Sequence, residues 1–170
     1  MTLAFSADAE SRFQKLLARY PNRQAALIPT LVLAVREFGY LSREAMAYVA
    51  ARLEVEPAQV LSTATFYTLL HKRPLGRHHI QVCMNVACYL KGSDHLAEHL
   101  RHRLGIGFGE VTSDGMFSLE GVQCLAACGT APAIQVNDDY HEDMTPAKVD
   151  ALLDQLRRAA APAPKQGGDL

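Results

Sequence analysis

The chain has 170 residues, 49% of them hydrophobic, and a formal charge of −1 at pH 7. That allows one ordinary domain, or one domain with an appendage, around a packed core. Basic residues do not cluster as a nucleic-acid surface requires, and the longest apolar run, 25–35, is broken by Pro29 and Thr30 and is far shorter than the ~20 residues of a membrane span.

Residues 1–77 read as helical. Phe13, Leu16, Leu17 and Tyr20 recur at i, i+3, i+4 and i+7, an apolar stripe that Pro21 ends. Leu27, Leu31, Val35 and Phe38 predict a second helix, with Pro29 tolerable near its first turns and Gly39 as its stop. Ser42 is placed to cap a third helix carrying Met46, Val49, Ala50 and Leu53. Pro57 suits the first position of a fourth, with Val60, Leu61 and Ala64. Four amphipathic helices with short connections make a small bundle. The opening M-T-L-A-F-S-A-D lacks the basic n-region and long apolar core of a secretion signal, so a cytoplasmic location is expected.

The basic, aperiodic stretch His71 to His79 reads as the boundary, with His78 and His79 as a solvated linker pair. Residues 78–158 read as a mixed α/β unit. Strands are expected at Ile80 to Val82, at Phe117 to Leu119 with Val122, at Ala133 to Val136, and at Tyr140 to Glu142 after a turn at Asn137, Asp138 and Asp139. Ser93 is expected to cap a crossover helix with Leu96, Leu100 and Leu104 buried and Gly105 as its stop. Thr145-Pro146 opens a last helix with Val149, Leu152, Leu153 and Leu156 on one face. The fold class is thus α+β: a helical bundle, then a thioredoxin-like domain with a four-stranded sheet. The tail 159–170 is expected to be disordered. His95, His99 and His102 form a stripe away from the leucines of the crossover helix and read as solvent-facing rather than metal-binding.

Every cysteine lies in two segments, V-C-M-N-V-A-C-Y (Val82 to Tyr89) and Q-C-L-A-A-C-G-T (Gln123 to Thr130). Cys83 and Cys88 form a C-x4-C pair, and Cys124 and Cys128 a C-x3-C pair. Each follows a strand, so both pairs are expected in loops at strand ends. Four cysteines suit two disulfides, a tetrahedral Zn²⁺, or a [2Fe–2S] cluster; four unconnected buried thiols are the plain alternative. Disulfides are uncommon in a cytosolic chain, and zinc more often uses C-x2-C knuckles, which this chain lacks. Two irons that each need two thiolates match two separate pairs directly. Val86, Ala87, Ala126, Ala127 and Gly129 are small or apolar and leave backbone N–H groups free to approach sulfur. There is no G-x-G-x-x-G, no Walker loop and no nucleophile–base pair, so NAD or flavin is not expected as this chain's own ligand.

C-M-N-V-A-C-Y-L-K-G, followed by C-L-A-A-C-G-T-A-P-A-I-Q-V-N-D-D-Y-H-E, closely resembles the thioredoxin-like [2Fe–2S] subunit of respiratory complex I, the 24-kilodalton family. The likeness runs from about Ala25 to Leu156 and includes A-T-F-Y (Ala64 to Tyr67). It implies that Cys83 and Cys88 hold one iron and Cys124 and Cys128 the other. It also implies a flavoprotein partner subunit that binds FMN and NADH, docked by one face of the helical bundle. The protein would then be an electron carrier within an NADH:quinone oxidoreductase, held at the cytoplasmic side of the membrane through that complex, with no insertion of its own and no nucleic-acid partner. The wider family also serves NAD-linked formate dehydrogenases and NAD-reducing hydrogenases. A zinc-stabilised interaction domain is the alternative of another class.

Overall fold

A computed structural model describes residues 3–159; residues 160–170 of the expected disordered tail lie outside the described residues. The chain divides into two compact units, Met1–Pro74 and Leu75–Leu170.

The first unit is built from α1 (Ala7–Arg19), α2 (Leu27–Phe38), α3 (Arg43–Leu53) and α4 (Pro57–Phe66). Helix starts follow capping chemistry. Ser6 Oγ accepts from the Ala9 N–H, Ser42 Oγ accepts from the Ala45 N–H, and Pro57 takes the first position of α4, where no N–H is needed. Gly39 ends α2 at φ 83°, a left-handed turn that costs glycine little. Phe13, Leu31, Val49, Leu53 and Val60 meet in one core. Tyr20 and Leu61, expected on the buried stripes, are instead exposed; Tyr20 is the extended residue just past the end of α1 (φ −107°, ψ 146°).

At the rim of this core Arg52 of α3 forks onto Glu10 of α1 (Nη1–Oε2 2.7 Å, Nη2–Oε1 2.6 Å) and donates to Tyr48 Oη at 2.7 Å. Its guanidinium lies 4.5 Å from the centroid of the Phe13 ring. The hydrogen bonds from Arg52, then that from Gln14, hold the Glu10 carboxyl at about 2, against an ordinary 4.5. A depressed carboxylate stabilises the fold above its unfolded pKa and loses that contribution as pH falls through the folded value. Both side chains are partly exposed, so about 1 kcal/mol is expected from the pair. Between pH 4.5 and about 2, the thermal midpoint of the native chain should therefore fall more steeply than that of Glu10→Gln; parallel slopes would refute this.

The second unit holds a four-stranded sheet in the order β2-β1-β3-β4, with β1 (His78–Cys83), β2 (Phe117–Val122), β3 (Ile134–Val136) and β4 (Asp139–His141). β1 runs parallel to β2 and antiparallel to β3, and β3 runs antiparallel to β4. Between β1 and β2 come α5 (Val86–Leu90) and α6 (Ser93–Leu104); α7 (Pro146–Arg158) closes the unit. Strand alternation puts Ile80, Val82, Phe117, Leu119, Ile134 and Val136 into one core with Leu96 and Leu100 of α6 and Val149 and Leu153 of α7. Among the described residues no helix is long and apolar enough to cross a membrane.

Three local expectations change. His78 and His79 are not a solvated linker; they open β1 and are buried. His78 packs on the Phe117 ring, and burial, then the nearby Arg77 charge, pushes its imidazole pKa down. His79 bridges Ser118 Oγ (2.8 Å) and Glu120 Oε2 (3.1 Å) on the adjacent strand. Ser93 does not cap α6; Gly92 does, at φ 87°, and Ser93 is the first helical residue and fully buried. Leu104 is only partly buried, packed at the edge of the core.

Gly76 passes so close to β2 that a Cβ would lie 2.3 Å from the Phe117 carbonyl carbon and 2.6 Å from the Ser118 nitrogen. Both obstacles are backbone and cannot rotate away. Gly76→Ala should push the start of β1 off β2 and cost more than ~2 kcal/mol, read as a lower thermal midpoint; an unchanged midpoint would contradict the packing.

Candidate metal centre

The pairing of β1 with β2 builds this site. The strands are parallel and in register, with Cys83 opposite Val122. The backbone therefore leaves both strands at the same end of the sheet, and the two cysteine segments start side by side. Cys83 is the last residue of β1; Cys124 follows β2 by two positions. The second cysteine of each pair was expected in a loop, but both lie in short helical turns. Cys88 is the third residue of α5, and Cys128 opens a 3-10 turn, Cys128–Thr130. A turn of helix after the first cysteine folds the chain back, which a C-x4-C or C-x3-C spacing requires for both sulfurs to face one point.

All four thiols are free. Cys83 and Cys88 are buried with Leu125, Ala131 and Ala133, whereas Cys124 and Cys128 are exposed. The segments converge: the Cys88 and Cys124 thiols lie close enough to Cys83 to favour its charged form, and Cys88 lies within electrostatic range of Cys128. Backbone N–H groups aim at sulfur. That of Ala126 donates to Cys124 Sγ at 3.2 Å, while the Asn85 and Leu125 amides favour the charged form of Cys83 and the Ala133 amide that of Cys88. Burial pushes the Cys83 thiol up, but these amides and the two neighbouring thiols outweigh it and the net direction is down. Cys88 goes up, from burial first and then from its proximity to Cys83 and Cys128. The site thus favours negative charge on Cys83 and resists a second charge beside it until a cation is shared. Four thiols in two pairs, ringed by amide donors, form a donor set that fits an anionic iron–sulfur group.

Sequence reasoning located the four cysteines and the free backbone around them. It did not identify the donors at Asn85, Leu125 and Ala133, since amide direction depends on local turns. His95 and His102 are exposed, and His99 Nε2 meets Asp150 of α7 at 3.0 Å, where Arg103 also donates at 2.7 Å. Asp138 lies in the turn between β3 and β4, and Asp139 opens β4.

A mixed four-stranded sheet with helices packed on one face and a cysteine pair beyond each of two parallel strands is the thioredoxin-like iron–sulfur class of fold. The chain belongs to the thioredoxin-like [2Fe-2S] ferredoxin family, whose model matches residues 13–157. It is 49% identical over 142 residues to an NADH-quinone oxidoreductase subunit of Rhizobium meliloti, covering 84% of each chain. It is 40% identical to NADH-quinone oxidoreductase subunit 2 of Thermus thermophilus, covering 91% of this chain and 87% of that one. Among solved structures it is similar to NAD+-reducing [NiFe]-hydrogenase in the H2-reduced state, with 25% identity and a TM-score of 0.66 over 79% of this chain. It spans only 23% of that hydrogenase chain.

Ala126 carries a left-handed backbone, φ 59°, between the two exposed cysteines. For a residue with a Cβ this conformation costs about 1 kcal/mol. Ala126→Gly should raise the thermal midpoint or leave it unchanged, whereas the β-branched Ala126→Val should lower it. A Val variant as stable as the native chain would show that this turn is not held as described.

Proposed function

We propose that this chain is the electron-transfer subunit that carries one [2Fe–2S] cluster beside the FMN- and NADH-binding flavoprotein subunit of an NADH-quinone oxidoreductase. The observation that carries this reading is the convergence of two thiol pairs among backbone amides that favour charge on sulfur, in a chain of this family. Cys83 and Cys88 hold one iron; Cys124 and Cys128 hold the other. Bound there, the group supplies a centre that accepts and gives one electron at a time.

The chain's own residues position and shield it. Leu125, Ala131 and Ala133 keep water from the Cys83–Cys88 side, which strengthens each N–H···S bond. The Cys124–Cys128 side is exposed, so electrons enter and leave there. Leu61, Phe66 and Leu69 of the helical unit are exposed apolar residues, as a face that docks the flavoprotein would be. Residues 1–77 serve as the docking bundle and 78–158 as the cluster domain. Attachment to the cytoplasmic side of a membrane comes through the complex.

The hydrogenase resemblance supports a second reading, the equivalent module of an NAD-reducing enzyme. Its 25% identity is well below the 40–49% shared with the oxidoreductase subunits above, so the complex I reading is preferred. Co-purification decides between them: quinone-reducing membrane subunits support the first, a nickel subunit the second.

The direct test of the centre is a visible spectrum with iron and sulfide analysis. Red-brown protein with iron and labile sulfide in equal amounts is expected; colourless zinc protein would overturn the reading. Cys→Ser at each of the four positions should disrupt assembly of the cluster, and a Cys128→Ser chain with an unchanged spectrum would remove that residue from the ligand set.

A further inference from the structure

The two thiol pairs differ in access. Cys83 and Cys88 are 2% and 1% exposed and share a buried cluster with Leu125, Ala131 and Ala133. Cys83 is also fixed on both sides of its strand: it stands opposite Val122 of β2, and its N–H donates to the Ala133 carbonyl at 3.2 Å. Cys88 is the one buried residue of α5. Cys124 and Cys128 are exposed, and so are their neighbours Gln123, Ala126 and Gly129. Leu125, 8% exposed, turns inward from this segment and joins the cluster around the buried pair. One segment therefore presents two sulfurs to solvent, and the other keeps both of its sulfurs inside.

Ligand exchange gives that difference a consequence. An iron–sulfur group that arrives ready-made is held by the thiolates of another protein. To take it over, a new sulfur must reach an iron that is still seated on its carrier. A thiol enclosed by its own fold cannot approach a second protein in this way; a thiol on an exposed segment can. The C-x3-C spacing puts two such sulfurs on one short segment, so once the first has bound, the second bond forms within one molecule at high effective concentration.

We propose that Cys124 and Cys128 are the entry site for the cluster: they take one iron from a thiol-ligated [2Fe–2S] carrier protein, and Cys83 and Cys88 complete the set afterwards. The inference rests on the reading that all four cysteines hold a [2Fe–2S] group. In the exchange two Fe–S bonds to the carrier break and two bonds to Cys124 and Cys128 form. The protons of these two thiols pass through solvent to the departing thiolates, and iron and sulfide keep their oxidation states. The same exchange by Cys83 and Cys88 at the second iron frees the carrier.

The test uses the reduced, iron-free full-length chain, with a [2Fe–2S]-loaded glutaredoxin as donor. The native chain, Cys83→Ser/Cys88→Ser and Cys124→Ser/Cys128→Ser are each mixed with it, and native mass spectrometry follows iron, sulfide and any complex of the two proteins. The native chain should empty the donor and release it. Cys83→Ser/Cys88→Ser should stay bound to the donor in an iron-containing complex, and Cys124→Ser/Cys128→Ser should neither take the cluster nor bind the donor. With both variants natively folded by circular dichroism, a complex with the second variant, with both or with neither would overturn the proposal. A second arm needs no variant and decides if either fails to fold. Iodoacetamide should modify Cys124 and Cys128 of the native iron-free chain roughly tenfold or more faster than Cys83 and Cys88, and chains alkylated at that exposed pair alone should no longer empty the donor. Equal rates, or transfer unchanged by the alkylation, would sink the entry site. Failure of the underlying reading is distinct: the native chain would then hold no iron and labile sulfide even after chemical reconstitution, whereas failure of the entry site alone leaves it loaded.

Discussion

The parallel, in-register pairing of β1 with β2 is the constraint on which the cysteine site depends. Cys83 sits opposite Val122, so the backbone leaves both strands at one end of the sheet. An antiparallel pairing would have sent the two segments to opposite ends, at least the length of a strand apart. Parallel neighbours need a crossover, which α5 and α6 supply. Their packing is itself enforced by the sheet: Leu96 and Leu100 share a core with Ile80, Val82, Phe117 and Leu119. Burial of one face of the sheet thus brings together thiols 36 or more positions apart in the sequence (Cys88 to Cys124).

The halves of the site are unlike. The Cys83–Cys88 half is buried, lies among the Asn85, Leu125 and Ala133 amides that favour its charge, and belongs to an apolar cluster. The Cys124–Cys128 half is exposed, has a local donor in Ala126, and includes a left-handed alanine. Such asymmetry suits a one-electron centre. On the function proposed above, the interior half would hold the group and the exposed half would leave a path for electrons. The scaffold itself implies none of this, since a thioredoxin-like sheet hosts many chemistries. The function follows from sulfur type, pairing and amide direction.

The first unit is organised differently. Its core is aliphatic and aromatic, and its main charged contact, Arg52 on Glu10, lies at the rim against the Phe13 ring. That contact ties α1 to α3, elements far apart in the sequence, and so contributes to the bundle and not to the centre.

Local chemistry was legible in the sequence. The periodicity at Phe13–Leu17 and Val149–Leu156, the caps at Ser42 and Thr145 and the glycine stops at Gly39 and Gly105 act over one or two turns, so the residues that decide them are neighbours. The cysteine pairs were legible for the same reason. Three things needed tertiary structure. His78 and His79 read as a polar linker, yet they are strand residues, because β2 supplies Phe117, Ser118 and Glu120 to receive them. Ser93 looked like a cap, but Gly92 reaches the left-handed turn that the approach to α6 demands. The directions of the Asn85, Leu125 and Ala133 amides depend on how two segments from different strands pack around the thiols. Spacing along the chain chose the donor atoms; strand pairing across the sheet chose where they meet, because hydrogen-bond register and burial are properties of segments that sequence distance does not join.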